Sequence, residues 1–99
     1  MLRNEKREYT LSKQILRAGT SIGANIRESK NAQSDLDFIS KLSIALKEAD
    51  ETAYWLELLM GSELIERPVF DELYQEVNEL IFMLTAIIKT KKANVNKGA

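Results

Sequence analysis

Apolar residues recur at spacings of three and four through most of this 99-residue chain, which is the period of a helix face. Leu11, Ile15, Ala18, Ile22 and Ile26 make the first such stripe. Thr10 is the expected N-cap, so a first helix is predicted over residues 10–29, with 1–9 as a flexible lead-in. Gly19 and Gly23 stand four apart on a neighbouring stripe. Each interior glycine costs about 1 kcal/mol relative to alanine. Two of them, flanked by Thr20, Ser21 and Ala24, predict a surface that another backbone approaches closely. On this reading the rest of the chain is built to cover the first helix.

After the polar connection SKNAQ, Ser34 opens a second helix predicted over 34–60. Asp35 and Asp37 lie in its first turn, where negative charge complements the helix dipole, and Ser34 with Asp37 resembles a capping box. Its stripe is Phe38, Leu42, Ala45, Ala49, Leu56 and Leu59, while Ile44, Trp55 and Leu58 lie off it, so more than one side is apolar. Gly61 follows the last periodic residue, where a left-handed cap is expected. Pro68 starts a third helix predicted over 68–90. Phe70, Leu73, Val77, Leu80, Leu84 and Ile87 form its main stripe, beside a second of Tyr74, Ile81 and Ile88. Residues 91–99 read as a disordered basic tail. The short connections force antiparallel neighbours, giving an all-α, up-down helical bundle of three helices in a single domain over residues 10–90. The doubled stripes on helices two and three exceed what a three-helix monomer hides, so a further helix or subunit is expected to cover them.

Composition narrows the function classes. There is no cysteine and no histidine, which removes disulfides, thiolate chemistry, the commonest general base and the commonest transition-metal ligand. No apolar run is long enough for a membrane span and no signal peptide opens the chain, so the expectation is a cytoplasmic protein with no membrane partner. The net charge of −1 conceals a segregation. Residues 1–30 hold seven basic and three acidic side chains, residues 31–80 three basic and twelve acidic, and residues 81–99 four lysines and no acid. Basic ends can meet acidic middles within or between chains, or the charges are solvated helix faces.

No catalytic constellation appears, and no cofactor or metal site is assigned. Glu48 and Glu51 sit three apart beside the apolar stripe. A di-iron bundle site needs Glu-x-x-His pairs, which this chain lacks. A hard-cation site is the alternative, and pairing with Arg17, Arg27, Lys41 or a neighbouring subunit is the favoured reading. Asn25, with Thr20 and Ser21, forms a polar group suited to fixing helix register, with a ligand contact as the alternative. Tyr54 and Trp55 point in different directions, one toward the core and the other suited to an interface. Gly19, Gly23, Asn25, Glu48, Glu51 and Trp55 are thus the candidate packing and interface residues. Arg3, Lys6, Arg7, Lys13, Arg17, Arg27 and Lys30 give one basic end, and Lys89, Lys91, Lys92 and Lys97 the other. Arg17, Arg27, Lys89, Lys91 and Lys92 are the candidate nucleic-acid contacts. Repetition of such ends in an oligomer multiplies weak phosphate contacts, against which stands an acidic pI of about 5.5.

Three segments carry a family resemblance: QILRAGTSIGANIRES (Gln14 to Ser29), DFISKLSIALKEADETAYWLELL (Asp37 to Leu59) and NELIFMLTAI (Asn78 to Ile87). They resemble the bacterial four-helix-bundle proteins encoded by intervening sequences in 23S rRNA genes, the S23 ribosomal protein family. The resemblance implies an up-down bundle, a homo-oligomer that is a pentameric ring, and an RNA- or DNA-associated role, directly or beside a nucleic-acid-acting protein. It implies no assigned biochemical activity. It also implies about one more helix before the segment EKREYTLSKQ, which this sequence lacks: either that helix has been lost or it is encoded upstream, and an upstream amphipathic helix of about 20 residues packing on these three is the expectation. The function expected is a non-enzymatic, self-associating assembly module, with direct nucleic-acid binding as the alternative and a metal-dependent enzyme as a remote one.

Overall fold

The computed structural model describes the backbone of residues 2–98 and the side chains from Tyr9 to Asn96, that of Leu11 excepted. Three helices follow one another: α1 (Leu2–Ser29), α2 (Asp35–Gly61) and α3 (Arg67–Gly98). The turns between them are short, so consecutive helices run antiparallel, and α1 and α3 run the same way.

The ends of α1 and α3 differ from expectation. The segment 2–9 is helical, so Thr10 caps nothing, and α3 continues through residues 91–98. The segment RNEKRE is made largely of good helix formers and holds neither glycine nor proline, and α3 meets no breaker before Gly98. Lysines in the last turns also suit the negative end of the helix dipole.

The start of α2 is built as its sequence suggests, with one change. Ser34 is extended (φ −153°) and its side chain accepts from the Asp37 amide at 3.0 Å. The Asp37 carboxylate reaches back one residue further than in a capping box, accepting from the Gln33 amide at 3.3 Å. The end of α2 is a correction. Gly61 lies inside the helix, and the left-handed residue is Glu63 (φ 58°). Glu63 N–H donates to the Met60 carbonyl (3.1 Å) and Leu64 N–H to that of Leu59 (2.9 Å), which is the Schellman pattern with glutamate where glycine is usual. Phe70 N–H then donates to the Glu66 carbonyl (2.9 Å) as α3 begins, with Pro68 in its first turn.

The helix at the centre is α2, not α1. Both α1 and α3 pack on it, and among the described residues no Cα of α1 lies within 8 Å of one in α3. The core joins Ile22 of α1, Leu42, Ala45 and Ala49 of α2, and Leu84 and Ile88 of α3. Ala45 and Ala49 are fully covered; their small side chains let the flanking helices' larger ones reach across α2. The buried hydroxyls are satisfied locally, Thr52 donating to the Glu48 carbonyl (2.8 Å) and Ser29 to that of Ile26 (2.6 Å).

The result is an elongated body whose Cα trace spans 58 × 20 × 14 Å, its long axis set by the helices. Its radius of gyration is 16.1 Å, against about 13 Å for a compact domain of this length. The predicted stripe on α3 is accordingly split. Leu84 of the main stripe is buried, as is Ile88 of the second, whereas Leu73 and Ile87 of the main stripe are exposed. Val69, Met83 and especially Phe82 are exposed too, as is Leu16 on α1.

Candidate functional site

Four of the sequence candidates meet in one place. A cleft of about 240 Å³ between α1 and α2 is lined by Gln14, Arg17, Ala18 and Ser21 on one wall and by Glu48, Glu51 and Trp55 on the other. Both sets recur at spacings of three and four, so two polar helix stripes face each other. Ala18 is buried, Glu48, Trp55, Gln14 and Ser21 are half-buried, and Arg17 and Glu51 are exposed. The Trp55 ring also packs, tilted by 59°, against Tyr54 at a centroid distance of 5.5 Å. Tyr54 is the more exposed of the pair.

The favoured pairing of the two glutamates does not form within the chain. Among the described residues, no cation lies within 4.0 Å of Glu48 or Glu51. Lys41 pairs instead with Glu28 across the α1–α2 junction at 3.3 Å. Arg17 shares the cleft with both acids without closing an ion pair, and Arg27 is exposed. Among the described residues no three acidic side chains gather as a metal-holding group.

Asn25 does not bridge two helices. Its side-chain amide donates to the Ser21 carbonyl (2.9 Å) and hydroxyl (3.4 Å), both on its own helix. Thr20 likewise donates to the Leu16 carbonyl at 2.9 Å. Gly19 and Gly23 correct the expectation of close packing within the chain. A Cβ built at either meets nothing within 4 Å, so any backbone that approaches this face must come from outside these three helices.

The basic residues separate by role. Lys91 pairs with Asp35 at 2.9 Å and lies over the Phe38 ring, 5.4 Å from its centroid, tying α3 to the start of α2. Lys89 and Lys92 are exposed at the rim of a groove whose floor includes Leu46 and Ile88. Lys30 and Lys91 line one further hollow together with Ser34 and Phe38. The parallel course of α1 and α3 therefore gathers Lys30, Lys89, Lys91 and Lys92 at one end. The side chains of Arg3, Lys6, Arg7 and Lys97 lie outside the described residues. At the other end, the Tyr74 hydroxyl donates to the Glu57 carboxylate, linking α3 to α2. That bond, burial and the carboxylate charge raise the phenol above its ordinary pKa, partly offset by Asn78. Gln14 was missed from sequence because one glutamine on a polar stripe has no distinguishing signal; its cleft position comes from the facing wall of α2.

Among proteins of curated function, none matches this chain. A crystal structure of a protein of unknown function from the S23 ribosomal protein family, from Bacteroides thetaiotaomicron, is similar to it. The two are 57% identical with a TM-score of 0.80, and the match covers 89% of this chain and 79% of that one. The family model described as 23S rRNA-intervening sequence protein matches residues 2–86. With three antiparallel helices and the motifs of α1 and α2 packed against each other, the chain belongs to the 23S rRNA-intervening sequence protein family.

Proposed function

We propose that this protein is a non-enzymatic assembly module, a cytoplasmic helical bundle that self-associates, with five copies as the number the family resemblance implies. The observation that supports it is the apolar surface left uncovered where α1 and α3 each pack only on α2. Leu73, Met83 and Ile87 along one flank of α3, with Leu16 on α1, expose side chains that a compact bundle buries. The open glycine face of α1 adds room for a neighbouring backbone. Sedimentation equilibrium tests the reading. The expected result is a mass several times the 11.3 kDa of one chain; a well-folded monomer across micromolar concentrations refutes it.

A nucleic-acid-associated role is the second part of the proposal, and the basic end supports it. Lys89 and Lys92 are exposed there without a carboxylate within 4.0 Å among the described residues. Repeated around an oligomer, such ends would contact phosphates additively. Fluorescence anisotropy with a labelled RNA, at several salt concentrations, separates direct binding from assembly alone. Direct binding predicts a salt slope that shrinks when Lys89 and Lys92 are replaced by alanine.

A further inference from the structure

We propose that the cleft between α1 and α2 binds a small zwitterion whose cationic end is a guanidinium or alkylammonium group, the class of the basic amino acids. The inference is independent of self-association. It rests on the charges that the fold brings together and leaves unmatched. Most described carboxylates have no cation within 4.0 Å, Glu28, Asp35 and Asp71 being the paired ones; what sets the cleft apart is that it holds opposite charges together. In the cleft, two carboxylates and one guanidinium converge with no such pair among the described residues.

Each wall offers a complement to one end of the ligand. Glu48 and Glu51, three residues apart on α2, repel each other, and a cation placed between them relieves that repulsion. The half-buried Trp55 ring follows on the same stripe and suits the planar face of a guanidinium. On the α1 wall, Arg17 is the partner for a carboxylate. Ser21 accepts from Asn25, which leaves the serine's own proton to donate toward the same carboxylate. The volume of about 240 Å³ falls below the roughly 300–1,000 Å³ of pockets for drug-sized ligands. It has room for one amino-acid-sized molecule.

Trp55 is the single tryptophan of the chain, so its emission reports occupancy directly. The full chain is titrated with arginine, with agmatine (no carboxylate) and with citrulline (the neutral analogue), and the sedimentation mass is followed in parallel. Arginine should give a saturable change, with citrulline weaker by about tenfold or more, since charge-assisted hydrogen bonds are lost. Glu48→Gln and Glu51→Gln should each weaken arginine, and Arg17→Gln should weaken arginine while leaving agmatine unchanged. Far-UV circular dichroism confirms that each variant is folded. A response to citrulline equal to that of arginine overturns the proposal, as does the absence of saturation or indifference to both glutamate variants. A fall in assembly mass as arginine saturates also overturns it, because the resident cation would then be a side chain of a second copy.

Discussion

Replacing Glu63 by glycine should raise the stability of the bundle, and replacing Gly61 by alanine should do the same. The two substitutions move glycine to the position where the backbone requires it. Glu63 closes the Schellman turn after α2 at φ 58°, a conformation that costs an L-residue roughly 1–2 kcal/mol. Glycine avoids that cost but gives back about 0.5–1 kcal/mol through the freedom it gains in the unfolded chain. The net gain for Glu63→Gly is about 0.5–1 kcal/mol. Gly61 lies within the helix, its φ is not positive, and an added Cβ meets nothing within 4 Å. Gly61→Ala therefore gains up to about 1 kcal/mol of helix propensity. For a domain of 60–100 residues, 1 kcal/mol shifts the melting temperature by about 4–8 °C. Each change should raise it by about 2–8 °C, measured by circular dichroism at one fixed protein concentration, because association makes melting concentration-dependent. Glu63→Ala, which keeps the strained backbone, should change little. A lower melting temperature for Gly61→Ala, with no gain for Glu63→Gly, would show that the cap sits at Gly61 and refute the reasoning.

Leu84→Ala should cost about 2–5 kcal/mol in urea unfolding, because Leu84 is almost fully covered in the cluster that joins all three helices; a loss under 1 kcal/mol would mean that α3 is not held there. Gly19→Ala and Gly23→Ala should each stabilise the isolated helix layer by up to about 1 kcal/mol, since both face open space. If a second copy seats its backbone on that face, the same changes raise the dissociation constant of the assembly, read by sedimentation. Tyr74, whose pKa is raised by its bond to Glu57, should ionise above the ordinary phenol range in an absorbance titration. Its pKa is higher folded than unfolded, so its contribution to stability is present below the ordinary value of about 10 and is lost as pH rises through the raised one. Tyr74→Phe should remove that late component, and a titration with no late tyrosine would refute the assignment.

The local features were legible because they are written in short-range spacing. Three periodic segments, the polar break at residues 30–33, the Ser34 cap and the proline opening α3 all depend on residues within a few positions of one another. The same limit explains the errors. A helix pattern gives the direction of an apolar stripe but not the identity of its partner, so the glycine-bearing first helix looked central. The covered alanines, Ala45 and Ala49, show instead that α2 is the one reached from both sides. Gly61 looked like the turn because glycine pays least for a left-handed backbone, yet the Schellman bonds formed two residues later, at Glu63.

Arg17, Glu48, Glu51 and Trp55 were each noticeable as residues, and nothing in their sequence positions joined them. Their meeting depends on the rotation of α1 against α2, which is set by how Ala18 and Ile22 pack on the core. The chain's own sequence determined how many helices form, roughly where they run and which residue types each stripe offers, because those follow from spacings of three and four. Tertiary packing decided which stripes are covered, which glycines face open space and which charges share a cleft, because a side chain's neighbours across an interface are fixed by helix rotation and contact rather than by distance along the chain.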